Sequence, residues 1–209
     1  MRSVALPSGE RIPALGQGTW GLAEQPSRRT DEIRSLREGI DLGLTLVDTA
    51  EMYANGAAEE LVGEAIVGRR DEIFLVSKVL PHDGNADADA VATDQVLYNL
   101  TRRGIEYDLL PYCQQRGLPV MAYSPVEQGR MLGHPALVEV ARRRRVSTAQ
   151  VALAWVLRQD GVSTIPRTST PAHVRDNHAA LGLMLTDEDL ATLDAAFPPP
   201  TSARPLEVL

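Results

Sequence analysis

An α/β fold built on parallel strands is predicted by three features of this 209-residue chain. Leu46-Val47-Asp48 and Phe74-Leu75-Val76-Ser77-Lys78 each begin as a short apolar run, the form of a strand buried on both faces, and each ends in an ionisable residue. Between them, Ala58 to Val67 places Leu61, Val62, Ala65 and Ile66 on one helical face. The result is a strand–helix–strand unit with an acid and a base at the same ends of neighbouring strands, where α/β proteins carry their chemistry.

Composition narrows the class. The chain is 44% hydrophobic, enough for one substantial core, but only 4% aromatic, so that core rests on Leu, Val, Ile and Ala. A net charge of −7 argues against a nucleic-acid binder, which needs a basic face. The run Arg142 to Arg145 falls at a predicted helix end and reads as a solvated terminus that complements the helix dipole. Cys113 is the one cysteine, which excludes an internal disulfide and a zinc cluster, and no metal is expected. Residues 1–20 show no signal peptide and no stretch has the length of a membrane span, so a soluble cytoplasmic protein is expected.

The elements follow in order. Val4 to Ile12 reads as a hairpin around Ser8-Gly9, and Leu15 to Trp20 as a strand whose glycines allow close backbone approach. Thr30-Asp31-Glu32 opens a helix with a capping hydroxyl and two acids, Ile33, Leu36 and Ile40 mark its buried face, and Gly43 follows its end. After Lys78, Pro81 to Ala90 is small, polar and without helical period, hence a loop or linker. Val91 to Tyr98 resumes as a strand, Ile105 to Arg116 is a helix ending at Gly117, and Pro119 to Ser124 is another strand. Ser147-Thr148-Ala149-Gln150 forms a capping box before the helix Val151 to Leu157, and Val162 to Ile165 is the last strand. Thr170-Pro171 and Thr186-Asp187 start two more helices, the second closed by Pro198-Pro199-Pro200.

Asp48, Lys78 and Tyr53 together suggest acid–base chemistry. A phenol has a pKa of about 10 and is a poor proton donor near neutrality. A nearby ammonium stabilises its anion and makes it a usable general acid for a substrate oxygen. Lys78 is placed to supply that charge and Asp48 to hold Lys78, although the spacing equally fits a structural ion pair beside a loop tyrosine.

Gly16-Gln17-Gly18-Thr19-Trp20-Gly21, Val47 to Tyr53, Val76-Ser77-Lys78, Ala122-Tyr123-Ser124-Pro125 and Ile165-Pro166-Arg167 resemble, in order, the successive signatures of the aldo-keto reductases. The resemblance covers nearly the whole chain and implies a (β/α)8 TIM-barrel type fold with Asp48, Tyr53 and Lys78 catalytic. It also implies reduction of a small aldehyde or ketone by NADPH. Trp20 is either core or, by resemblance, a wall of the substrate pocket, and the tail Thr201 to Leu209 folds over the active-site mouth. Gly18 and Thr19 would line the cofactor. Tyr123 would stack on the nicotinamide, Gln95 bond its amide, and Ser124 and Pro125 continue the pyrophosphate loop. Arg167, Thr168 and Ser169 would meet the phosphate on the adenosine ribose, implying NADP, with Asp176 and Asn177 on the adenine side. His173 stands where many relatives have arginine.

About six strand–helix units are present, not eight. The family pattern implies that the fourth and fifth units are missing from a single domain 1–209, with the deletion near 79–91. The strands ending at Lys78 and starting at Val91 then become edges. An open or distorted barrel is expected, monomeric if complete and self-associating if open. The family's fourth-strand histidine and fifth-strand Ser-Asn pair have no counterpart; His82 is the nearest histidine to Lys78, while His134, His173 and His178 are poorly placed. The alternative is a shortened relative that at most binds NADP.

Overall fold

A computed structural model describes residues 2–78 and 92–209. The N-terminal hairpin forms as expected from β1 (Ser3–Ala5) and β2 (Arg11–Pro13), antiparallel, with Gly9 at φ 90° in the turn. Six parallel strands among the described residues then make the wall: β3 (Gln17–Gly18), β4 (Leu46–Asp48), β5 (Phe74–Val76), β6 (Asp94–Leu97), β7 (Val120–Tyr123) and β8 (Val162–Thr164). They pair in the orders β3-β4-β5 and β6-β7-β8.

A seam joins the two halves. Leu15, just before β3, bridges Thr164 of β8 in parallel. The Thr164 N–H donates to the Ala14 carbonyl at 2.8 Å, and the Gly16 N–H donates to the Thr164 carbonyl at 2.8 Å. Close approach makes glycine necessary here: a Cβ on Gly16 would lie 2.6 Å from the Leu46 carbonyl, and one on Gly18 would lie 2.6 Å from the Ile165 carbonyl. Among the described residues β5 and β6 share no ladder, so the wall is a barrel of six strands left unclosed, as the count of units implied. The expected linker Pro81 to Ala90, together with His82 and Val91, lies outside the described residues.

Among the described residues seven helices cover the wall: α1 (Arg29–Asp41), α2 (Ala57–Ala65), α3 (Leu109–Arg116), α4 (Pro135–Arg144), α5 (Thr148–Leu157), α6 (Pro171–Ala179) and α7 (Asp187–Ala196). The capping boxes at Ser147 and Thr186 form, each closed by the residue three positions on. Two expected caps do not. α1 starts one residue before Thr30, continuing a 3-10 turn at Pro26–Arg28, and Thr170 sits at the N-cap of α6 without bonding its backbone. The helix expected from Ile105 begins only at Leu109, because Gly104–Glu106 closes a separate 3-10 turn and the Asp108 carboxylate accepts from the Leu109 N–H.

The arginine run also departs from expectation. Arg142, Arg143 and Arg144 do occupy the last turn of α4, but they are not simply solvated. Arg143 pairs with Glu188, and Arg144 Nε donates to the fully buried Asp189 at 2.5 Å, so the run clamps α4 onto α7. His134 caps α4, with Nδ1 accepting from the Ala136 N–H at 3.3 Å.

Few aromatics leave the core to branched aliphatics, as the composition required. Leu15, Leu46, Met121 and Ile165 pack within the barrel, and every residue of α5 from Val151 to Leu157 is buried. Trp155 is fully buried against Tyr98, with the Arg158 guanidinium 3.9 Å from its ring centroid. Among the described residues no helix is long and apolar enough to cross a membrane.

Candidate active site

The carboxyl end of β4 delivers Asp48 into the rim, where it is only 2% exposed. Thr19 fixes the backbone there: its N–H and its hydroxyl both donate to the Asp48 carbonyl, at 3.1 and 3.0 Å. Thr19, expected to line the cofactor, therefore spends its hydroxyl on holding Asp48. Lys78, two residues past β5, donates from Nζ to Asp48 Oδ1 at 2.7 Å and to the Thr49 carbonyl at 3.1 Å. The same ammonium lies over the Tyr53 ring, 4.9 Å from its centroid. Burial pushes the Asp48 carboxyl above the usual range, outweighing the charge of Lys78 and the hydrogen bonds from Lys78 and Gln95.

Tyr53 is held at a sharp turn. Ala54, Asn55 and Gly56 follow it with φ of 50°, 53° and 89° before α2 begins. Left-handed backbone costs a residue such as alanine about 1–2 kcal/mol, and such strain persists where the surroundings fix it. The acid, base and phenol singled out in the sequence thus share one rim.

Gln95, expected by resemblance at the nicotinamide, lies beside Asp48. Its Nε2 donates to the same Asp48 Oδ1 at 2.9 Å and approaches Met121 Sδ at 3.3 Å. The donor assigned by resemblance to the nicotinamide amide bonds the Asp48 carboxylate in this structure. Trp20 is 57% exposed, which rules out the core reading.

Tyr123 ends β7, and the loop that follows carries Ser124 and the buried Pro125. It turns sharply, with Ser124, Glu127 and Gln128 at φ of 47°, 51° and 54°. A network absent from the sequence expectations holds it. Asn99 donates from Nδ2 to the Ser124 carbonyl at 2.9 Å and to Glu127 Oε2 at 2.8 Å. Arg102 Nη2 and Arg130 Nη2 each donate to Glu127 Oε1 at 3.0 Å. Burial alone would raise the Glu127 carboxyl; the bonds from Arg102, Asn99 and Arg130 outweigh it and hold the group below its usual range. Arg102 also reaches Glu207 at 2.7 Å, fastening the tail beside this loop. Burial raises the Tyr123 hydroxyl above its ordinary value, with a hydrogen bond to the Leu209 backbone acting in the opposite direction.

The residues expected at the adenosine end meet in part. Gly18, Thr168 and Asn177 line one crease with Pro166 and Val174. Arg167 Nη2 donates to the Gly21 carbonyl at 2.7 Å, and the Thr168 hydroxyl accepts from the Thr170 N–H at 3.1 Å. Ser169 accepts from Arg28, a residue absent from the sequence expectations. Asp176 is engaged elsewhere, accepting from the Ser147 hydroxyl at 2.6 Å. Beside this crease, Arg167, the hydroxyls of Thr168 and Ser169 and the uncapped start of α6 are the kinds of donor that suit a phosphate. Among the described residues no cluster of His, Cys, Asp and Glu could hold a metal.

Comparison with known proteins bears on this geometry. The sequence model described as the Aldo/keto reductase family matches residues 14–91 and 86–197. The methylglyoxal reductase YeaE of Escherichia coli (strain K12) is 39% identical over 271 positions, covering 95% of each chain. Those 271 positions exceed this chain's 209 residues by at least 62, so the relative carries that much sequence without a counterpart here. A glyoxal reductase of Bacillus subtilis (strain 168) is 35% identical over 261 positions, 92% of each chain. A crystal structure of an aldo/keto reductase from Klebsiella pneumoniae in complex with NADP and acetate aligns with a TM-score of 0.92 at 37% identity, over 100% of this chain and 99% of that one. A thermostable aldo-keto reductase in complex with the inhibitor epalrestat aligns at 0.82 and 29% identity, over 93% and 99%. With its matched stretches running from residue 14 to 197 and its acid, base and phenol on one rim of a parallel barrel wall, the chain belongs to the aldo/keto reductase family.

Proposed function

We propose that this chain reduces a small aldehyde or ketone to an alcohol at the expense of NADPH, with Tyr53 as the general acid. The observation that carries the reading is the position of the Lys78 ammonium, bonded to Asp48 and lying over the Tyr53 ring. NADPH, when bound, supplies the hydride for the carbonyl carbon. Tyr53 gives its hydroxyl proton to the carbonyl oxygen, and Lys78 stabilises the phenolate that remains. Asp48 keeps Lys78 in place, while the exposed Trp20 and the tail bound the mouth. Arg167, Thr168 and Asn177 hold the adenosine end, and Tyr123, Ser124 and Pro125 the nicotinamide and pyrophosphate. The names of the relatives point to short dicarbonyls, so methylglyoxal is the first substrate to assay.

A second reading is favoured by one contact. Gln95 bonded to Asp48, in a wall that β5 and β6 do not close, suits a shortened relative that binds NADPH without turning over. NADPH fluorescence titration beside methylglyoxal reduction separates the two. Binding with turnover that is lost in Tyr53→Phe bears out the reductase; binding without turnover favours the second reading; no binding rejects both. In either case we treat residues 1–209 as one soluble, cytoplasmic domain with a deletion near 79–91. Size-exclusion chromatography tests whether the unclosed wall makes it self-associate.

A further inference from the structure

The loop following β3 and the loop following β8 are stitched together by two arginines, one from each side. Arg167, in the β8 loop, reaches back to the Gly21 carbonyl at 2.7 Å. Arg28, at the end of the β3 loop, reaches forward to the Ser169 hydroxyl, which is 9% exposed. The stretch from Arg167 to Thr170 therefore has a guanidinium on each flank. Helix α6 contributes little further charge at this point: Arg175 is held by Glu38 at 2.8 Å, and His173 occupies its first turn. A guanidinium has five N–H donors, and Arg28 is exposed with a single donor nitrogen in its bond to Ser169, leaving the remainder for a ligand.

We propose that Arg28 is a specificity-determining residue that binds the 2′-phosphate of NADPH, acting with Arg167 as a two-guanidinium clamp across the β3 and β8 loops. The inference rests on the reading that the chain uses NADPH. A phosphate monoester gains charge-assisted bonds from both guanidiniums. NADH has a hydroxyl at that position and gains no charge pairing, so Arg28 discriminates between the two nucleotides without touching the reacting atoms.

The test is fluorescence titration of NADPH and NADH against the full chain and its Arg28→Ala and Arg28→Lys variants, with thermal melts to verify folding. Loss of a charged bond to phosphate weakens NADPH binding about tenfold or more in Arg28→Ala, with NADH binding unchanged and Arg28→Lys intermediate. Raised salt should erode the difference between wild type and Arg28→Ala. Equal weakening of both nucleotides would mean that Arg28 only braces the loop, and it overturns the proposal. So does an unchanged NADPH affinity. If the wild-type chain binds neither nucleotide, the NADPH reading falls as well; if it binds NADPH and Arg28→Ala does too, only the role of Arg28 falls.

Discussion

Replacing Lys78 with methionine removes the ammonium while keeping most of the stem, and leaves Asp48 buried with one remaining bond, from Gln95. Breaking a buried ion pair by deleting one partner costs about 3–5 kcal/mol. The Lys78 side chain is 27% exposed, which places this pair nearer the surface. Together with the surviving Gln95 bond, this reduces the expected loss to about 2–3 kcal/mol at pH 7. In a chain of this size that lowers Tm by about 5–10 °C. The loss should also depend on pH. The Asp48 carboxyl already lies above its ordinary range, so the folded chain binds that proton more tightly than the unfolded chain. Its contribution is present at acid pH and disappears as pH rises through the raised value. Without Lys78 the value rises further, so the deficit of Lys78→Met should narrow between pH 7 and pH 5. Adding Asp48→Asn should restore most of the loss, because no buried charge then remains. Urea denaturation of wild type, Lys78→Met, Asp48→Asn and the double variant at both pH values measures all of this. A single variant within about 0.5 kcal/mol of wild type at pH 7, or a deficit indifferent to pH, would show that the pair does not hold the rim.

Three further outcomes are expected. Tyr53→Phe should lower carbonyl turnover about 10²–10⁴-fold while NADPH affinity stays within twofold, since the lost group acts on substrate oxygen; turnover near wild type would reject it as the acid. Glu127→Gln should cost about 1.5–3 kcal/mol at pH 7 by weakening its charged bonds to Arg102 and Arg130. Because that carboxyl is held below its usual range, its stabilisation is present above the unfolded value and vanishes as pH falls through the folded one, so urea melts of variant and wild type should converge in acid. Gly39→Ala, inside α1, gains about 1 kcal/mol of helix propensity, yet its Cβ would come 2.1 Å from Gln17 Oε1. Gln17 is buried and donates to the Leu36 and Leu44 carbonyls, so overpacking and disturbed bonds should leave a net loss of about 1–3 kcal/mol; a higher Tm would refute this.

The parts of the fold legible in the sequence are those with local causes. Apolar strand runs, capping boxes at Ser147 and Thr186, and Gly117 after α3 are each decided within a few residues. Asp48 and Lys78 were readable because one ends and the other closely follows a strand, and the hydrophobic pattern already implies the parallel order of the two strands. The brace around Glu127 was not, because Asn99 and Arg102 come from the loop after β6 while Glu127 and Arg130 come from the loop after β7. A carboxylate between strand β7 and helix α4, with arginines near each preceding strand end, is at most a faint signal for it. Arg28 and Ser169 are farther apart still, and no linear spacing joins them. The arginine run of α4 looked solvated because its partners, Glu188 and Asp189, lie on a helix read separately as an ordinary acidic N-terminus. The bond from Gln95 to Asp48 joins β6 to β4 across 47 residues of sequence, so no local pattern announces it.

The seam between Leu15 and Thr164 has a consequence for synthesis on the ribosome. At about 5–20 residues per second, Thr164 emerges about 8–30 s after Leu15. Through that interval the outer side of β3 is an unsatisfied template, and the nascent chain can finish its wall only when β8 arrives. Holding that strand apart from neighbouring chains is work for a chaperone, and slowing translation ahead of β8 would lengthen the hazard.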